Sequence, residues 1–247
     1  MPQQPPTSGP SDAGGFAATH WTVVLAAADG ESPSRAGEAM AELCRTYWYP
    51  LYAYVRRRKY DAHEAEDLTQ EFFARLMAKN YLADVDRRKG KFRAFLLTAL
   101  KHFLANEWDR SRSLKRGGGQ VVISLDTPAA ESRYGLEPFH NLTPERLFER
   151  QWVLTVLERV LAGLQAEFVA EGKQTIFDGL KHFLTADRPS SGYGQVAGEL
   201  GMTEGAVKTA THRLRRRYRE LLRREIAQTV ACPEDIDEEI RYLLSCL

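Results

Sequence analysis

The chain lacks the marks of several protein classes. Its 247 residues include three cysteines, Cys44, Cys232 and Cys246, scattered and odd in number. No CxxC motif and no Cys/His cluster occurs, which speaks against a disulfide framework and a zinc site. No apolar run approaches the roughly 18–20 residues that a membrane span needs. The first fifteen residues are rich in Pro, Gln, Ser and Gly and lack the basic start and apolar stretch of a secretory signal. A reduced, cytoplasmic protein without membrane association is expected. Strand signals are nearly absent, since Val121-Val122-Ile123 is one short β-branched run, too little for a sheet. GxSxG, HExxH and P-loop motifs are missing, so no enzyme, catalytic residue, metal or cofactor is expected. An excess of one charge is also missing: 34 Lys+Arg against 33 Asp+Glu give a net +1. That sum says nothing about where the charges lie.

The 43 % hydrophobic content is enough for packed cores. Its period is helical throughout. Ala36, Met40, Leu43, Tyr47, Leu51 and Val55 recur on one face, with Pro50 expected to bend or divide that helix. A second helix opens at Asp61, three residues before Glu64, in a variant of the capping box. Ala65, Leu68, Phe72 and Leu76 line its apolar face, and Asp67, Gln70 and Glu71 lie on another. A basic loop follows over 82–91. A third helix over Phe92–Arg112 buries Phe92, Leu96, Ala99, Leu100 and Phe103. Thr143-Pro144-Glu145 is a helix start, leading a helix to Glu171. A shorter helix covers Thr175–Thr185, and two more flank Gly201. Leu-Lys-His-Phe-Leu occurs at Leu100–Leu104 and at Leu180–Leu184 without matching flanks, and is read as coincidence.

The expected fold is all-α: two small helical domains joined by a flexible linker, the second containing a helix-turn-helix. A disordered leader covers 1–15, the first domain 16–112, the linker 113–142, the second domain 143–230 and an acidic tail 231–247. Phe16–Asp29, with His20-Trp21, is read as an extra helix on the first domain. Gly117-Gly118-Gly119, Pro128, Gly135 and Pro138 give the linker its composition.

Charge is concentrated in two basic segments. Between Thr203 and Arg224, eight cations oppose only Glu204 and Glu220. Gly201 suits the left-handed position that ends one helix, and Thr203 can cap the next. Val207, Ala210, Leu214, Tyr218 and Leu221 form the buried stripe of that second helix. Gly205, Thr209, His212, Arg216 and Arg219 lie opposite, with Lys208 and Arg213 beside them. Small residues near the helix start let it sit deep in a groove, and the arginines can grip phosphates. The other basic segment, Arg87–Arg116, interleaves cations with aromatic and amide groups, a pattern suited to single-stranded nucleic acid. His63 stands among Glu64, Glu66 and Asp67 at a helix start, where acids complement the macrodipole rather than bind metal.

These stretches resemble a known family. Tyr49-Pro50-Leu51-Tyr52, the segment Asp61–Phe73 (DAHEAEDLTQEFF) and Phe92-Arg93-Ala94-Phe95-Leu96 resemble the second conserved region of bacterial RNA polymerase sigma factors. Tyr193–Ala197 through Glu204-Gly205-Ala206-Val207-Lys208 resemble their fourth region. Order, spacing and the missing intermediate domain are similar to the extracytoplasmic-function group. The resemblance implies that Asp67, Gln70 and Glu71 dock on the polymerase core (β′ and β subunits). It implies that Lys91, Arg93, Lys101, His102, Asn106, Trp108 and Arg110 meet the −10 element of promoter DNA. It further implies that Thr203, Gly205, Lys208, Thr209, His212, Arg213 and Arg216 meet the −35 element. Where many members carry Asn and Trp, this chain has His102 and Phe95.

A stand-alone helix-turn-helix regulator with an N-terminal oligomerisation domain is the other reading of the residues. Control would come from an anti-sigma protein, a regulatory kinase or the tail itself. Thr69 lies in the docking helix, where a phosphate would add negative charge. The tail, with Glu234, Asp235, Asp237, Glu238 and Glu239 ahead of Ile240, Leu243 and Leu247, is either a capping helix or a shield over a basic face.

Overall fold

Pro50 does not divide the first helix. In the computed structural model, which describes residues 33–78, 91–113, 127–135, 142–185 and 192–247, helix α1 runs unbroken over Pro33–Arg57 with Pro50 inside it. The ring removes the donor that the Thr46 carbonyl would otherwise meet. Tertiary packing outweighs that loss, because every residue from Thr46 to Val55 is buried. Helix α2 (Ala62–Ala78) opens as expected. The backbone N–H of Asp61 donates to the Glu64 carboxylate at 3.2 Å, and that of Glu64 donates to Asp61 Oδ1 at 2.8 Å. The two exchanges satisfy donors that a helix start leaves orphaned. Helix α3 (Phe92–Ser113) lies against α2. Phe72 and Phe103 meet with ring centroids 5.7 Å apart, and Arg75 pairs with Glu107 at 2.6 Å.

The segment read as a flexible linker contains a helix, α4 (Thr127–Gly135). Its Glu131 accepts from Tyr52 Oη at 2.5 Å and from Arg56 at 2.6 and 3.0 Å. Arg133 lies over the Tyr49 ring at 4.3 Å. Nine residues are too few to display an amphipathic repeat, so the Gly and Pro around them dominated the sequence signal.

Helix α5 (Pro144–Ala170) is capped by Thr143, whose hydroxyl accepts from the Arg146 N–H at 3.3 Å. It packs on α1 along one side, where Glu42 pairs with Arg159. The expected helix Thr175–Thr185 is two pieces, α6 (Gln174–Leu180) and α7 (His182–Thr185), with Lys181 in a turn between them. Helix α8 (Tyr193–Leu200) ends at Gly201, at φ 63° and ψ 30°, and Thr203 caps α9 (Glu204–Ala227) through Ala206 N–H at 3.2 Å. A short 3-10 turn (Pro233–Asp235) leads into α10 (Ile236–Leu244).

All regular structure among the described residues is helical, as the period of the sequence required. Buried apolar side chains from α1 to α10 join in one connected cluster. No helix among the described residues is long and apolar enough to cross a membrane. The expected leader, the segment Phe16–Asp29, the loop over 82–90 and Val121–Ile123 lie outside the described residues.

Candidate nucleic-acid interface

Three surfaces carry the residues singled out from the sequence. On α2, Asp67, Gln70 and Glu71 stand at i, i+3 and i+4, which places them on one face. Asp67 lies 3.3 Å from His63 Nδ1, and Glu71 accepts from Arg75 at 2.8 Å. Gln70 donates to Glu66 at 3.1 Å. The carboxylates therefore remain at the surface, tied to neighbours on their own helix. The pKa of the His63 imidazole is raised, first by a backbone hydrogen bond and then by the nearby Asp67 carboxylate.

On α3 the predicted residues divide. His102 and Asn106 are exposed and four residues apart, and Lys101 and Trp108 are exposed on the adjoining line seven residues apart. Trp108 is 58 % exposed, unusual for so large an apolar ring. Lys101 reaches back to Glu145 of α5 at 2.8 Å, a bond that holds the Glu145 carboxyl below its usual pKa. The Arg110 side chain lies outside the described residues. Arg93 is not on this face, being 2 % exposed. Its guanidinium pairs with Glu149 at 2.8 Å and Glu239 at 2.5 Å and stacks over the Trp152 ring at 4.6 Å. Burial pulls its pKa down, but the two carboxylates more than offset this and the net direction is up. Lys91 also pairs with Glu239.

On α9, Gly205, Thr209, His212, Arg216, Arg219 and Arg223 follow the spacing i, i+4, i+7, i+11, i+14 and i+18, a single line along the helix, and all are exposed. His212, Arg216, Arg219 and Arg223 line one surface depression. Lys208 pairs with Glu204 at 2.6 Å and Arg216 with Glu220 at 2.9 Å, both within the helix. Arg213 is exposed beside them. Two other cations are structural: Arg215 donates to the Phe183 carbonyl at 2.8 and 3.0 Å, and Arg217 to Glu167 of α5 at 2.6 Å.

Comparison with known proteins bears on the first two of these surfaces. Residues 43–113 match the family model for Sigma-70 region 2. The match supports a sigma-70 family sigma factor, with DNA binding and a role in transcription initiation. No curated protein and no solved structure matches the chain significantly.

The region 2 match ends at residue 113, the last residue of α3. Within region 2, Thr69 is fully buried and its hydroxyl donates to the Ala65 carbonyl at 2.7 Å. The fold thus hides it from a kinase, which corrects its reading as a modification site. Among the described residues no group of His, Cys, Asp and Glu could hold a metal ion.

Sequence reasoning missed Glu149, Trp152 and Glu239 as the surroundings of Arg93. A signal for Arg93 existed. It stands on one line with Leu97, Leu100 and Leu104 at i+4, i+7 and i+11, all three buried. A cation in an apolar stripe needs buried acids as partners.

Proposed function

We propose that the chain is a sigma factor of the extracytoplasmic-function type, an initiation subunit without chemistry of its own, working in the cytoplasm. It binds RNA polymerase core through Asp67, Gln70 and Glu71 on α2. It meets the melted −10 element with the exposed half of α3 and reads the −35 element with the open line of α9. The observation that carries this reading is the region 2 match over residues 43–113. Its final helix presents Lys101, His102, Asn106 and Trp108 together at the surface. Cations engage the backbone of separated strands, and a flat indole or imidazole stacks on unpaired bases. Unstacking a base costs a few kcal/mol, which such contacts offset.

The helix, tight turn and helix over Tyr193–Ala227 support the second half of the proposal. The Met202 N–H donates to the Ala197 carbonyl at 2.9 Å, closing α8 as a Schellman-type end. The N-terminal part of α9 is then left with only small or polar side chains on its outer line, the shape that enters a major groove. An acidic docking face suits a basic partner surface through steering and interfacial pairing.

The test is capture of core polymerase by the tagged chain, followed by run-off transcription on genomic fragments. Charge reversal at Asp67 and Glu71 is expected to abolish capture while leaving the far-UV spectrum unchanged. Capture that survives the reversal, or tight binding of duplex promoter DNA without core, would overturn the reading in favour of a stand-alone regulator.

A further inference from the structure

Ile240, Leu243 and Leu244 of α10 seat against α5 and α9, sharing one small apolar cavity with Val153, Val156 and Leu157 of α5 and Leu222 and Ile226 of α9. From this seat the first turn of α10 reaches two places at once. Glu239, only 2 % exposed, pairs with both Lys91 and Arg93 at the start of α3. Asp237 pairs with Arg223, the last residue of the open line on α9. The Tyr242 ring lies 5.2 Å from Lys91 Nζ and 5.9 Å from the Arg93 guanidinium carbon. Acids in the first turn would stabilise α10 from solvent by the macrodipole alone. Glu239 is instead driven into the protein, where a carboxylate persists only when paired.

We infer that α10 is an internal competitor for nucleic-acid phosphate: docked, it occupies cations belonging to both DNA-facing elements and ties the start of α3 to α9, and its release raises affinity for DNA. This inference rests on the sigma-factor reading, which supplies the DNA-facing role of α3 and α9. The competition is electrostatic and local. Phosphates and the carboxylates of α10 seek the same guanidinium and ammonium groups, and a strand cannot engage them while Glu239 and Asp237 hold them. Arg93 keeps Glu149 as a partner when the tail leaves, so release does not strand it as a bare buried charge.

The experiment uses the full chain carrying Asp237→Asn and Glu239→Gln, which keeps the apolar side chains of α10. The control is Glu234→Gln with Glu238→Gln, exposed acids of the same tail, so that both variants change net charge equally. Binding of a fluorescein-labelled forked duplex is measured by anisotropy over a range of salt, alone and with core polymerase. Melting followed by circular dichroism checks that each variant is folded, and deletion of Pro233–Leu247 serves as a second variant. The expected result is about tenfold tighter binding for the paired-acid variant and less than about twofold for the control. The salt slope should steepen by about one to two, the size of one or two added phosphate contacts. Equal affinity of wild type, paired-acid variant and deletion overturns the competition while leaving the sigma-factor reading standing. Equal gains from variant and control overturn it as well. Failure of every form to bind both core and probe overturns the sigma-factor reading and the inference with it.

Discussion

Arg93 shows how a single residue is decided by its surroundings. Its position in a basic segment points to solvent and DNA, yet its place on the helical line of Leu97, Leu100 and Leu104 points inward, and the inward reading holds in this fold. Its two carboxylate partners come from α5 and α10, 56 and 146 residues further along the chain. No local window contains them, so the need for acids was legible and their identity was not. Arg93→Ala leaves Glu149 and Glu239 facing a vacated, water-poor site. The expected cost is about 3–5 kcal/mol, the usual penalty for removing one partner of a buried pair, read as a drop in urea midpoint. Glu131 makes a different prediction. Its hydrogen bond from Arg56, helped by Tyr52, holds its carboxyl below the ordinary value despite some opposing desolvation. A carboxyl with a depressed folded pKa adds stability above its unfolded value of about 4.3 and loses it as pH falls through the folded value. Glu131→Gln should therefore be less stable than wild type at neutral pH, and the gap should narrow once the pH falls below that unfolded value. Parallel urea titrations at neutral pH and below that value measure it, and a constant gap would show that the contact is not titrating.

Helices whose ends carry explicit chemical signals are the most legible elements. The start of α5 at Thr143-Pro144, the reciprocal box of Asp61 and Glu64, and the Gly201–Thr203 turn all stand where the sequence placed them. What failed lacks such signals or depends on context. Leu-Lys-His-Phe-Leu is continuous helix in α3 but straddles the break between α6 and α7. The first Leu and the Phe are buried in both copies, but Leu104 is buried where Leu184 is only half-buried, so five identical residues share neither the backbone nor the full burial pattern. Helix α5 shows weak periodicity for another reason. It meets α1 on one side and α9 and α10 on others, so Leu147, Gln151, Trp152, Val153 and Leu164 are buried over a wide arc rather than along one stripe. The turn before α9 is testable by two independent changes. Thr203→Ala removes the acceptor for Ala206 N–H and is expected to cost about 1 kcal/mol. Gly201→Ala meets no neighbouring atom within 4 Å, so its expected cost of roughly 1–2 kcal/mol comes from the left-handed backbone alone. Chemical denaturation of both single variants and the double variant measures these costs. A cost near zero for Gly201→Ala would mean that the turn rearranges.

Across the whole molecule, near-neutrality is a cancellation between separated surfaces, and the structure brings parts of those surfaces together. Acids of α10 meet cations of α3 and α9, Glu145 meets Lys101, and Glu167 meets Arg217. The division of charge was legible in the sequence; the pairings were not, because each joins separate segments, from 14 residues apart for Arg223 and Asp237 to 148 for Lys91 and Glu239. Packing has the same long range. Trp152 of α5 is fully buried in a core that runs unbroken from the α1 side to the α9 side. A shared core of this kind predicts one cooperative unfolding transition rather than two, since neither half can lose its partner surface without exposing apolar area. Amide protection in α1 and in α9 should then disappear at the same urea concentration. Trp152→Ala should lower both midpoints together, by an amount corresponding to about 3–5 kcal/mol, because the cavity and the lost Arg93 stacking lie between the two halves. If α1 kept its protection while α9 lost it, the halves would be independent units that merely touch, and α10 would be the element that joins them.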